Sequence, residues 1–228
     1  MLTKKKKLSK KEIKEDKLVS FYYKAYKYFD ENKSRVSIYA ISAVVIVALA
    51  VFYVYHKKQQ NQAAGDQLAK VMPLYDAGAY LEAIEGQAGT NVMGLKKIVE
   101  DYGSTENGET AKIFLANSYN TLGKTDEALK YYEDYDGSIN MYQASAYAGE
   151  AGYYADKGQY DKAAELYRKA SKVTNSDVLN PDYLLHAGIN YINAGKNDQA
   201  KEVFDILKKD YNTSMAYRQA YPYLAQIN

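Results

Sequence analysis

The chain has 228 residues with 30 lysines and arginines against 28 acidic residues, a length that suits one domain with a sizeable core plus shorter segments. It contains no cysteine, which excludes disulfides, thiol nucleophiles, cysteine-based zinc sites and a lipidated N-terminal cysteine. The charge is divided unevenly: residues 1–35 hold twelve basic and five acidic residues, whereas residues 36–228 hold eighteen and twenty-three. A basic N-terminal segment indicates an anionic partner, either nucleic acid or a membrane.

The basic segment, residues 1–35, has two parts. The lysine-rich residues 2–11 predict disorder, and residues 12–33 have the periodicity of an amphipathic helix. One face of that helix carries Leu18, Phe21, Tyr22, Ala25, Tyr28 and Phe29. With its lysines away from this face or at its border, such a helix is expected to lie along lipid headgroups. Docking to a membrane partner is the alternative, and nucleic-acid binding is disfavoured because no recognition element accompanies the lysines.

Residues 36–55 form an uncharged run of twenty residues without proline or glycine. As a helix this run spans roughly 30 Å, the thickness of the hydrocarbon core of a bilayer, and predicts a single transmembrane helix. A buried core helix and a signal peptide cleaved after Ala48-Leu49-Ala50 are the alternatives; the long charged lead-in disfavours cleavage. The excess of basic residues before the span predicts a cytoplasmic N-terminus. Residues 56–66 are expected to be a linker or an extension of the helix.

Three later segments share one pattern of small and aromatic residues, offset by 35 and then 37 residues. The shared positions are Tyr119, Gly123, Ala128 and Tyr132, then Tyr154, Gly158, Ala163 and Tyr167, then Tyr191, Gly195, Ala200 and Phe204. This pattern resembles the tetratricopeptide repeat, a helical hairpin with a period near 34 residues. It predicts an all-α solenoid with repeats at 109–142, 144–177 and 181–213. A generic bundle of helical hairpins is the alternative.

The shared residues also have predicted roles in packing. Ala116 and Ala128 allow the two helices of a repeat to approach closely, and Tyr119 and Tyr132 fill the space between repeats. A glycine such as Gly123 ends the first helix with a positive φ, and an aspartate three residues later, such as Asp126, Asp161 or Asp198, is expected to start the second.

The repeat domain is expected to cover residues 67–228. Gly78 and Ala83 stand in the right relation for a divergent first repeat at 67–105, which ends in a short helix with the sequence LKKIVEDY. Residues 214–228 predict a capping helix that is short or kinked because it contains Pro222.

A basic flank, one uncharged span, the irregular junction GLKKIVEDYGSTENGETAKIFLANSY and then tetratricopeptide repeats resemble the YfgM-like ancillary subunits of the SecYEG translocon, in versions like those of Bacteroidetes. The resemblance implies a bacterial inner-membrane protein with a periplasmic repeat domain. It also implies a position beside the translocon and partners among periplasmic chaperones or exported chains.

The repeat register predicts which residues face a concave groove for protein partners. They are Thr110, Ile113, Asn117, Asn120, Thr121, Ser145, Ala148, Gly152, Asp156, Asp182, Leu185, Ile189 and Asn193. None is basic, which disfavours a clamp for an acidic C-terminus.

Catalysis is not expected. His56 and His186 are far apart, and the sequence has neither a spaced set of metal ligands nor a phosphate-binding loop, so we expect no cofactor and no metal. The function predicted from these residues is a membrane-anchored interaction scaffold. A glycan- or peptidoglycan-binding module and a coordinator of envelope growth or division remain the alternatives.

Overall fold

A computed structural model describes residues 10–174 and 176–227 of the chain. This part of the chain is α-helical, with turns and one isolated β-bridge between Gly86 and Met93. The predicted all-α fold is therefore confirmed. The helices are α1 (Lys10–Glu31), α2 (Lys33–Asp76), α3 (Tyr80–Glu85), α4 (Leu95–Tyr102), α5 (Glu106–Thr121), α6 (Thr125–Glu133), α7 (Asn140–Asp156), α8 (Tyr160–Val173), α9 (Asn180–Asn193), α10 (Asn197–Asp210) and α11 (Met215–Leu224).

The chain divides into two compact units, residues 1–56 and residues 57–228. In the first unit, α1 confirms the helix expected from the amphipathic pattern and begins two residues earlier than predicted. Residues 2–9 of the segment predicted to be disordered lie outside the described residues. Asn32 separates α1 from α2, and its backbone N–H still bonds to Tyr28 O at 3.0 Å.

Helix α2 contains the predicted membrane span. None of its side chains from 36 to 55 is buried, and large apolar residues such as Val44 and Leu49 are more than half exposed. By length and composition, α2 is the one helix of the described residues that could cross a membrane. Residues 56–66, expected to be a linker or a helix extension, are helical and continue α2.

In the second unit, short turns join α5 to α6, α7 to α8 and α9 to α10. At the first turn Gly123 has φ +74°, its N–H bonds to Asn120 O at 3.0 Å, and the next N–H bonds back to Tyr119 O at 2.9 Å. A positive φ suits glycine because it has no Cβ. The same turn recurs at Gly158, Gly195 and Gly78. Its recurrence at Gly78 supports the proposal that the end of α2 and α3 form a divergent first repeat.

The predicted role of Asp126 as the start of the second helix is wrong. Helix α6 begins at Thr125 without a side-chain cap, so Asp126 is already inside its first turn. The Asp126 carboxylate instead accepts a hydrogen bond from the Tyr153 hydroxyl at 2.8 Å and lies 3.7 Å from Lys157 Nζ in the next repeat. Asp161 pairs in the same way with Lys196 Nζ of the following repeat at 2.5 Å. These aspartates connect neighbouring repeats.

The predicted packing roles of Ala116, Ala128 and Tyr132 are confirmed, whereas Tyr119 stacks on Tyr131 within its own repeat. Ala116 and Ala128 are fully buried or nearly so, and Tyr119 and Tyr132 are buried as well. The Tyr132 ring lies directly against Gly149 of the next repeat, where a Cβ atom would collide with it. Apolar area removed from water at such contacts stabilises the stack.

Helices α4 and α11 come directly before and after the three hairpins along the chain. Helix α4 has the predicted sequence LKKIVEDY and buries Leu95 and Ile98. Helix α11 packs on α9 and α10 through Ala216 and Ala220, and it is short, with Pro222 in its last turn. The Ser214 side chain caps α11 by accepting a hydrogen bond from Tyr217 N at 3.1 Å.

Candidate protein-binding groove

The predicted groove residues lie on α5, α7 and α9, the first helices of the three hairpins. Three of them, Thr110, Ile113 and Leu185, are buried. Ile113 and Leu185 belong to the two hydrophobic cores, and the Thr110 hydroxyl donates to Glu106 O at 3.1 Å. These three side chains therefore offer no surface to a partner.

The other predicted residues keep some exposure. Half-buried are Asn117, Ser145, Ala148, Gly152 and Ile189, and exposed are Asn120, Thr121, Asp156, Asp182 and Asn193. Their use by a partner remains a prediction. Burial narrows the candidate groove to these ten positions.

Asn117 on α5 forms hydrogen bonds with residues of two other helices, α6 and α2. Its Oδ1 accepts a hydrogen bond from the Tyr132 hydroxyl at 2.7 Å, and its side chain also hydrogen-bonds Tyr75 at the end of α2. Burial raises the pKa of Tyr75, and the bond with Asn117 offsets part of that rise. A buried network of this kind fixes side-chain positions, so Asn117 contributes more to the shape of the groove than to free hydrogen-bonding capacity.

A series of half-buried aromatic rings accompanies Asn117, and the sequence did not predict it. Tyr75 contacts Tyr80 with ring centroids 5.5 Å apart and Phe114 at 5.0 Å, and Phe114 contacts Tyr142 at 5.9 Å. All three contacts are edge-to-face, the geometry that aromatic quadrupoles favour. Tyr75 and Phe114 stand at different distances from their turn glycines, so the repeat register does not mark them as neighbours.

The first helices of the three hairpins carry very little positive charge. Lys112 is the one lysine or arginine in α5, α7 and α9, whereas Glu106, Glu109, Glu150, Asp156 and Asp182 are acidic. Lys112 is itself buried and bonded to Glu109 Oε1 at 2.8 Å and Asp134 Oδ2 at 2.7 Å. This part of the candidate groove is therefore electronegative.

The Lys112 cluster borders a cleft of about 640 Å³ beside the loop from Asp134 to Ser138. Burial by itself lowers the pKa of Lys112, but its bonds to Asp134 and Glu109 outweigh burial and raise it. The second Glu109 oxygen accepts a hydrogen bond from Asp136 N at 2.9 Å. Lys112 and Glu109 of α5 therefore hold the loop that contains Asp134 and Asp136 against this helix through paired charges and a hydrogen bond.

Most tyrosines of the second unit serve packing. Tyr191 is fully buried, and its hydroxyl donates to Glu165 at 2.6 Å; burial and this carboxylate raise its pKa to about 12. Tyr119 stacks on Tyr131 with centroids 5.8 Å apart. Among the described tyrosine and phenylalanine rings of residues 57–227, Tyr160 and Tyr221 are the exposed ones, at 37% and 54%. Stacking surface for a glycan is correspondingly small on this unit.

The two histidines are not brought together into a catalytic or metal site. His186 is exposed and stacks on Tyr167 with centroids 5.2 Å apart, whereas His56 stacks on Phe52 in the other unit at 6.0 Å. Among the described residues, no group of three or more His, Asp or Glu side chains is arranged to hold a metal ion.

Comparison with protein families identifies the three hairpins. One model of the tetratricopeptide repeat matches residues 110–137 and 144–177, and a second matches residues 182–214. These segments are tetratricopeptide repeats. They coincide with the pairs α5/α6, α7/α8 and α9/α10 and agree closely with the predicted repeats. Searches of curated proteins and of solved structures found no match.

Proposed function

We propose that this protein is a membrane-anchored tetratricopeptide-repeat scaffold that binds protein partners along the groove formed by α5, α7 and α9. The repeats indicate a protein–protein interaction scaffold. The observation that carries the proposal is the row of first helices, whose exposed polar residues include Asn120, Asp156 and Asn193. These residues are free of the core packing that holds Thr110, Ile113 and Leu185.

The anchor in this proposal is the segment from 36 to 55. Its side chains have no protein core to enter, and leaving so many valines, isoleucines and leucines in water would be strongly unfavourable. The excess of lysine and arginine before the span supports a cytoplasmic N-terminus, because basic flanks tend to stay on the cytoplasmic side. Residues after the span, including the repeats, then lie in the periplasm of a bacterial inner-membrane protein.

The partner in the proposal follows from the resemblance to YfgM-like subunits. It is the SecYEG translocon, with the repeat domain passing exported chains toward periplasmic chaperones. Helix α1, with Phe21, Tyr22 and Tyr28 exposed, would contact the lipid bilayer or a membrane partner on the cytoplasmic side.

Site-specific crosslinking in intact membranes tests this function. A photoreactive residue is placed at Tyr28 on α1, at Asn120 or Asn193 in the groove, or at Asp205, an exposed control on α10 outside the groove set. We expect Tyr28 to capture translocon subunits and the groove positions to capture chaperones or exported chains. The Asp205 position should capture little.

The outcome distinguishes the alternatives. Capture of envelope-assembly proteins at the groove would favour the role in growth or division. Equal capture at Asp205 and Asn193 would contradict a groove-specific scaffold. Protease added to spheroplasts should cleave the repeats and leave α1 intact; the reverse pattern would overturn the proposed orientation.

A further inference from the structure

Equivalent positions in the first and second matched repeats differ at one point of the groove. In the first, the Tyr132 hydroxyl is bonded to Asn117, fifteen residues earlier. In the second, the equivalent tyrosine is Tyr167 and the residue fifteen positions earlier is Gly152. Within the described part of the chain, the half-buried Tyr167 hydroxyl has no hydrogen-bond partner of the kind that Asn117 gives Tyr132. The absent side chain at 152 leaves a notch over this hydroxyl.

Packing does not explain why residue 152 is glycine. A Cβ at Gly149 or Gly188 would collide with the ring of Tyr132 or Phe204, so a close approach requires those two glycines. A Cβ at Gly152 would meet only the Tyr167 oxygen, at an ordinary contact distance of 3.6 Å. Gly152 is also inside α7 with ordinary helical backbone, where glycine is less favourable than alanine. The effect of Gly152 is therefore to leave open space beside Tyr167, since its backbone conformation does not require glycine.

The surroundings of the notch define its chemistry. The Tyr167 ring stacks on the exposed ring of His186 at 5.2 Å. Asp156 is exposed and lies one turn after Gly152 on α7. Burial raises the pKa of Tyr167, and the Asp156 carboxylate adds to that rise. The notch is thus formed by Gly152, Asp156, Tyr167 and His186. It combines a carboxylate, an unpartnered hydroxyl and aromatic surface.

We propose that this notch binds a lysine or arginine side chain of an extended polypeptide lying in the groove. The aliphatic stem would cross the open surface at Gly152 beside the His186 ring. The cationic head would donate hydrogen bonds to the Tyr167 oxygen and the Asp156 carboxylate. Charge complementarity selects this occupant, because α7 and α9 contain no lysine or arginine to repel it and the one lysine of α5 is neutralised.

This inference rests on the proposed function, since it requires a polypeptide in the groove. It adds a preference for basic side chains at one position. The test uses the full chain in lipid nanodiscs and a fluorescein-labelled peptide of alternating serine and glutamine with one central lysine. Matched peptides carry arginine, glutamine or glutamate at that position.

We expect the lysine and arginine peptides to bind at least about tenfold more tightly than the glutamine peptide, as a charge-assisted contact predicts. Gly152→Asn, which supplies the partner that Asn117 gives Tyr132, should abolish this preference. The melting temperature of that variant should stay the same or rise. Tyr167→Phe and Asp156→Asn should each reduce the preference, whereas Asp205→Asn, exposed on α10 outside the groove, should leave it unchanged.

Two results would overturn the notch. One is equal affinity for the lysine, glutamine and glutamate peptides. The other is a lysine preference that survives Gly152→Asn in a folded chain. If the groove positions still capture partner proteins in membranes, either result refutes the notch and leaves the scaffold function standing. Loss of groove capture would refute the scaffold itself.

Discussion

In residues 37–55 the large apolar side chains are exposed along the whole segment, whereas among the described residues from 57 to 227 most side chains of the same types are buried or half-buried. The second unit buries them by pairing bulky residues with small ones, as where Tyr132 lies on Gly149 and Phe204 on Gly188. The first unit contains no such pairing among its described residues. The two units therefore meet the same hydrophobic requirement differently: neighbouring repeats cover the apolar side chains of the stack, whereas lipid is the proposed surrounding of residues 37–55.

The largest effect is expected from charging the apolar segment. Replacing both Val44 and Val47 by arginine costs about 2.5–3.5 kcal/mol for each residue near the centre of a membrane helix. We expect the protein to lose most of its retention in carbonate-washed membranes. The control changes Asp205 and Asp210, exposed on α10, to arginine and should not alter retention. Full retention of the first variant would contradict a transmembrane span.

A smaller loss is expected from breaking the buried ion pair of the stack. Lys112→Met leaves the Glu109 carboxylate buried without its cation, at a cost of about 3–5 kcal/mol. The measurement is the free energy of unfolding from urea titration followed by circular dichroism. The double change Lys112→Met with Glu109→Leu should recover part of the loss because no unpaired charge remains. Additive effects of the two single changes would show that the pair is not coupled.

Two glycines on α7 provide a matched comparison within the stack. Gly149→Ala forces a Cβ into the Tyr132 ring and should destabilise the protein by about 1–3 kcal/mol. Gly152→Ala meets no obstruction and should stabilise it by about 0.5–1 kcal/mol through helix propensity. Thermal melting of the two variants measures the difference. Equal shifts in melting temperature for the two variants, or shifts opposite in sign to those expected, would mean that neighbouring repeats do not pack as described.

The smallest effect is expected at the surface pair between repeats. Asp161→Asn removes an exposed ion pair with Lys196, and such pairs contribute about 0–1 kcal/mol. The difference in melting temperature between the Asp161→Asn variant and the unchanged chain should disappear in high salt, because salt screens exposed charges. Melting temperatures at low and high ionic strength test this. A large, salt-independent loss would indicate that Asp161 has a role in packing.

Features that depend on neighbours in sequence were predictable. The turn at Gly123 and helix α4 could be predicted from residues a few positions apart. The recurrence of one pattern in three segments supported the prediction of repeats. Burial of Ile113 and Leu185 was not predictable from a register that marks groove positions, because neighbouring helices cover them. The role of Asp126 was missed because its partners, Tyr153 and Lys157, belong to the next repeat.

Hydrophobic periodicity and turn residues were enough to predict the helices, the glycine turns, the apolar segment and the three matched repeats, because both are local properties of the chain. Packing between helices determines which predicted groove residues remain accessible, which rings contact Tyr75 and Phe114, and which glycine leaves open space. Those outcomes depend on distances between side chains of different repeats. These distances are set when helices pack against one another, so they cannot be predicted from the periodicity of a single helix.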